Sequence, residues 1–76
     1  MILSTGGYLT FYMPGKRTDL ELDLTEPMSL QSILTEVGIP LEEVYLVVIN
    51  EKIVDWSEAV VVNQDRVKVY SPIDGG

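Results

Sequence analysis

The chain reads as a two-layer α+β domain, with a single amphipathic helix laid across one face of a mixed β-sheet. Three observations predict it. Leu30, Ile33, Leu34 and Val37 fall at i, i+3, i+4 and i+7, between a Ser29 suited to the N-cap and a Gly38 suited to the position after the last turn. On either side of this helix lie short segments with strand patterning rather than further helices. The length of 76 residues with 46% hydrophobic content is enough for one small core and no more. One helix can cover only one face of such a sheet, so the other face meets solvent or a partner.

Met1 to Thr5 opens the chain as a short β-prone run, and Gly6-Gly7 breaks it. Tyr8 to Met13 supports two readings: Leu9, Tyr12 and Met13 have helical spacing, whereas the aromatic content suits a strand. Pro14-Gly15 is a turn signal. Leu20, Leu22 and Leu24 alternate with Glu21 and Asp23, the pattern of a strand with one buried and one wet face. After the helix, Pro40 prevents its resumption. Val44 to Ile49 is apolar on both faces, as a central strand would be. Asn50-Glu51-Lys52 turns the chain into a brief strand at Ile53-Val54. Trp56 to Val62 reads as a connection with apolar anchors, and Asn63-Gln64-Asp65 as a second turn. Val67 and Val69, alternating with Lys68 and Tyr70, form the last strand. The domain spans residues 1–76, with residues 71–76 expected as a flexible tail.

Composition removes several classes of function. There is no cysteine, which excludes disulfides, thiolate chemistry and cysteine-ligated metals together. There is no histidine, so the usual general base and the commonest metal ligand are missing as well. Glu42 and Glu43 are adjacent and need not converge on a cation, and Gly6-Gly7 lacks the context of a phosphate-binding loop. No catalytic or metal-ligating residue is therefore assigned. The net charge of −7 argues against nucleic acid and fits a partner with a basic surface. Met1-Ile2-Leu3-Ser4 lacks the charged and apolar regions of a secretion signal, and no apolar run approaches the roughly 20 residues of a membrane span. A cytoplasmic, soluble protein is expected.

The sequence ends at Gly75-Gly76. Two glycines add no side-chain burial, but a segment without Cβ atoms can thread a narrow enzyme cleft and present a carboxylate there. A frayed terminus is the alternative. Pro72 restricts the tail before it leaves the sheet, or else simply terminates the strand. An exposed apolar patch on the long strand would mark a docking surface, formed by some of Tyr45, Val47 and Ile49 or by Leu46 and Val48.

Taken in order, these segments resemble the ubiquitin-like β-grasp sulfur carriers of the MoaD/ThiS family, and among them the small subunits of molybdopterin synthase. Gly38-Ile39-Pro40-Leu41-Glu42-Glu43-Val44 looks like the family's helix exit, and Val47-Val48-Ile49-Asn50 with Lys52-Ile53-Val54 like its hairpin. Asp65-Arg66-Val67 looks like its approach to the last strand, and Pro72-Ile73 before Gly75-Gly76 like its tail. Glu51, Gln64, Ser71 and Asp74 depart from that pattern, the first two replacing turn glycines and Asp74 placing a carboxylate beside the diglycine.

The resemblance implies a β-grasp fold in which a helical turn occupies residues 8–13. It implies that Gly76 is adenylated and then converted to a thiocarboxylate, with Gly75, Asp74, Ile73 and Pro72 as the threading segment. The implied partners are an adenylating enzyme related to ubiquitin-activating enzymes, which uses ATP and magnesium, and a molybdopterin synthase large subunit or another sulfur acceptor. The chain itself would be a carrier and cosubstrate, not an enzyme, with no bound cofactor. Other readings are a carrier for thiamine thiazole synthesis, a modifier joined to lysines through Gly76, and an interaction module whose terminus never reacts.

Overall fold

The computed structural model describes residues 1–72; Ile73, Asp74, Gly75 and Gly76 lie outside the described residues. In chain order the strands are β1 (Ile2–Thr5), β2 (Asp19–Glu21), β3 (Met28–Ser29), β4 (Leu46–Ile49), β5 (Lys52–Val54), β6 (Val60–Val61) and β7 (Arg66–Tyr70). The helix α1 (Leu30–Val37) follows β3, and short 3-10 turns occupy Gly7–Tyr12, Pro14–Lys16 and Leu41–Glu43. Five strands form one sheet in the order β2-β1-β7-β4-β5. The β1–β7 pair is parallel and the other pairs are antiparallel. This mixed sheet with its one main helix is a ubiquitin-like β-grasp fold.

The helix forms where the sequence places it. The Ser29 hydroxyl accepts a hydrogen bond from the Ser32 N–H at 3.2 Å, satisfying one of the donors that the first turn leaves over. The Leu30 N–H donates to the Ala59 carbonyl at 2.9 Å, satisfying another. At the other end Gly38 takes a left-handed φ of 105°, and its N–H returns to the Leu34 carbonyl. Leu30, Ile33 and Leu34 are buried against the sheet.

They meet Leu3 of β1, Val47 of β4 and Val67 and Val69 of β7, with Leu9, Ile39 and Val61 closing the periphery. All of these side chains are almost wholly withdrawn from solvent. Burial of each aliphatic side chain contributes about 1.5–3 kcal/mol, and this packing holds an eight-residue helix that would be marginal alone.

Several expectations are refined. Residues 8–13 belong to the helical alternative, since a 3-10 helix runs over Gly7–Tyr12 and buries Leu9. The alternating run at Leu20 to Leu24 is a strand only over Asp19–Glu21, although the Leu22 N–H still reaches the Met1 carbonyl at 2.8 Å. The centre of the sheet is β7, whereas the apolar segment Val44 to Ile49 supplies β4, one strand in from the edge. The connection Trp56 to Val62 conceals β6, which pairs with β3 in a separate two-stranded sheet beside the helix N-terminus. Two-residue strands carry too little alternation to be visible in sequence.

The docking set Tyr45, Val47 and Ile49 is corrected. Val47 is 0% exposed and lies in the core, and Ile49 packs against that core opposite Val67. Only Tyr45, 67% exposed, is available to a partner. The pleat of β4 turns Val47 and Ile49 toward the helix, so the alternate residues Leu46 and Val48 take the opposite face.

Candidate functional site

The tail leaves the fold from the central strand. β7 is paired along both sides, to β1 and to β4, so the segment that precedes the tail is held in register up to its last residue. Beyond the regular ladder the Gly6 N–H donates to the Val69 carbonyl at 3.0 Å, and the Tyr45 N–H to the Tyr70 carbonyl at 2.8 Å. Ser71 is 5% exposed and Pro72 is exposed, so the chain passes from interior to solvent between these two residues. A Cβ on Gly6 would sit 3.0 Å and 3.2 Å from the Tyr70 ring, and this close approach is why a residue without a side chain stands there. The remaining members of the expected site, Ile73, Asp74, Gly75 and Gly76, lie outside the described residues.

Around this exit the exposed surface includes aromatic and apolar side chains beside the polar Ser4, Thr5, Asp19 and Lys68. Tyr8 is 58% exposed at the start of the 3-10 helix that follows Gly6, and Tyr45 precedes β4. Leu46 lies opposite Tyr70 across the β4–β7 pair. Further down the same open face, Val48 stands opposite Lys68, Ser4 takes the other side of Lys68, and Ile53 of β5 lies beside Val48. Arg66 is on the same face of β7, opposite Ile2. Two cations of the central strand, Arg66 and Lys68, thus lie on the open face between apolar Val48 and Ile2 and the polar Ser4, in a protein with a net charge of −7. Sequence periodicity places Lys68 opposite in phase to Val67 and Val69, and Arg66 shares the phase of Lys68. Their alternation with Val67 and Val69 was the available signal, but the flanking partners depend on strand order.

The open face is braced at its far end by side chains of two turns. Asn50 and Glu51 both have positive φ, 50° and 70°, which closes β4 and β5 through a two-residue turn. The Asn50 amide donates to Asp65 Oδ1 at 2.8 Å, and its carbonyl oxygen accepts from the Arg66 N–H at 2.9 Å. Asp65 Oδ2 accepts from the Val62 N–H at 2.9 Å. Asn63 of the same turn accepts from the Leu24 N–H at 2.8 Å. These bonds tie the β4–β5 hairpin to the approach of β7 and hold the direction in which β7 runs toward the tail.

Among the described residues, no group of three or more acidic side chains is arranged to hold a metal ion, and no helix is long and apolar enough to cross a membrane. The Glu42 and Glu43 pair lies in the 3-10 turn after α1. Lys16 stands with its ammonium 5.3 Å from the Phe11 ring centroid, a surface cation–π contact. Trp56 is half-buried against the core, as a loop anchor.

A five-stranded mixed sheet with one main helix on one face defines the class of ubiquitin-like β-grasp domains. The ThiS family model matches residues 8–76, and the chain belongs to that family. No curated protein sequence matches the chain. Members of the family are small sulfur carriers rather than enzymes, and they work with adenylating enzymes and sulfur acceptors. The role of this chain is accordingly that of a sulfur carrier.

Proposed function

We propose that the carrier residue is Gly76 and that the sulfur travels as a C-terminal thiocarboxylate. The observation that carries this reading is a family match extending through Gly75-Gly76. A free carboxylate is a poor electrophile at neutral pH, so it must first be given a leaving group. An adenylating partner using ATP and magnesium transfers AMP to the Gly76 carboxylate and releases pyrophosphate. Sulfide then attacks the acyl carbon, the C–O bond to AMP breaks, and AMP and a proton leave. The product is a thiocarboxylate, a nucleophilic sulfur donor. The lack of cysteine supports a terminal location for the sulfur, because the chain has no thiol to carry it.

Gly75, Asp74, Ile73 and Pro72 form the segment that threads the partner's channel. Asp74 places a carboxylate next to the diglycine, and the adenylating enzyme meets it with a cation, since it would otherwise repel the ATP phosphates. Tyr45, with Leu46 and Val48 of the open sheet face, forms the docking surface for that enzyme and for the sulfur acceptor. Pro72 in the tail supports molybdopterin biosynthesis as the pathway, with a molybdopterin synthase large subunit as acceptor. The thiazole branch of thiamine synthesis is the second destination for the same chemistry.

The test is intact-mass measurement of the purified protein after incubation with the host's adenylating enzyme, ATP, magnesium and sulfide. Replacement of one oxygen by sulfur, located at Gly76 by fragmentation, is the expected result. An unmodified terminus would refute the carrier chemistry. Supplying the thiocarboxylated protein to a molybdopterin synthase large subunit with its precursor, and separately to a thiazole synthase, decides the destination.

A further inference from the structure

An open groove of about 410 Å³ on the helix side of the β2 edge is lined by Leu20, Leu22, Leu24, Met28, Ile33 and Val37, with Asp23 and Glu36 also among its lining. It is separate from the tail exit, since β1 stands between β2 and β7. From this groove and its edge we infer that β2 is an acceptor strand for an extended segment of a partner protein in which apolar residues alternate with lysine or arginine. Three features specify that occupant.

The first is the free edge. Among the described residues β2 pairs only with β1, through Leu3↔Leu20, with hydrogen bonds from the Thr5 N–H to the Thr18 carbonyl and from the Leu22 N–H to the Met1 carbonyl. In an antiparallel ladder of that register the N–H and C=O groups of Asp19 and Glu21 point away from β1. They offer backbone pairing to an added strand.

The second is the groove. An added strand presents alternate side chains to the helix side, where Leu20, Leu22 and Val37 leave an apolar trough. The third is charge. The intervening side chains of the same strand project on the open face, where β2 presents the exposed Asp19 and Glu21. Apolar residues in one phase and cations in the other satisfy both faces at once.

A second copy of this chain fits poorly, because its own β2 would bring Asp19 and Glu21 against their counterparts. The inference is independent of the sulfur-carrier reading, as none of its residues belongs to the tail.

The probe is a synthetic peptide of alternating isoleucine and lysine, titrated into the 15N-labelled full chain. The controls are a scrambled peptide of the same composition and an isoleucine–glutamate peptide. Saturable shifts at residues 19–24 and 33–37 are expected, with the scrambled peptide about tenfold weaker or more. E21K, a substitution of an exposed side chain on the open face of β2, weakens binding about tenfold while leaving the other resonances in place. E21P removes the outward N–H and has the same effect. A chain lacking Gly75 and Gly76 binds as the full chain does. Equal binding of the three peptides, shifts confined to residues 46–48 and 66–68, no shift at millimolar peptide, or self-association through β2 would each overturn the inference.

Discussion

Glu51 occupies a backbone conformation, φ 70°, that an L-residue with a Cβ adopts at a cost of about 1 kcal/mol. Asn50, at φ 50°, offsets its own cost through the bonds to Asp65 and Arg66, whereas Glu51 has no comparable compensation among the side-chain hydrogen bonds of this turn. Glu51→Gly is therefore expected to raise stability by about 1 kcal/mol, read from the urea midpoint at unchanged slope. Asn50→Ala removes the amide from this turn and leaves Asp65 with one partner fewer, which lowers stability by about 1–2 kcal/mol in the same assay. Gly6→Ala presses a methyl group onto the Tyr70 ring, and a loss of about 1–3 kcal/mol is expected, with the Tyr70 ring resonances displaced. That shift would reach the last strand before the tail, so it should also slow adenylation of Gly76.

At the scale of elements, α1 depends on its two caps and on the small β3–β6 sheet that meets its first turn. Ser29→Ala removes the acceptor for the Ser32 N–H and costs about 1 kcal/mol. Gly38→Ala puts a Cβ on a residue at φ 105° and costs about 1–2 kcal/mol. The loss in either case is expected to be global rather than local, because Leu30, Ile33 and Leu34 are shared with the core under the sheet. Thermal denaturation followed at the helix and at the Trp56 fluorescence should give coincident curves for both variants. Non-coincident curves would mean that the helix unfolds separately from the sheet.

For the whole molecule, the described core and the proposed carrier residue, Gly76, lie in different parts of the chain. Among the described residues every member of the buried apolar core lies between Met1 and Val69, and deleting Gly75 and Gly76 is expected to leave the melting temperature within about 2 °C of the full chain. The same deletion should abolish thiocarboxylate formation completely. Loss of stability on deletion would mean that the tail packs on the fold, and retained sulfur transfer would mean that Gly76 is not the carrier.

The sequence alone determined whatever rests on local periodicity and local chemistry. The helix and both caps were legible because 3.6-residue spacing, Ser29 and Gly38 act within one segment. The hairpin at Asn50-Glu51 was legible as a turn, and the family was legible from the order of motifs and the Gly75-Gly76 end. Tertiary structure decided what depends on which strands become neighbours. It placed β7 rather than β4 at the centre and resolved the Tyr8 to Met13 segment in favour of a helical turn, a 3-10 helix over Gly7–Tyr12. It also turned Val47 and Ile49 inward, leaving Leu46 and Val48 beside Lys68 and Tyr70 on the open face. A segment apolar on both faces carries no phase of its own, so the choice of face falls to long-range register: Val47 pairs with Val69 and Ile49 with Val67, and those two valines face the helix.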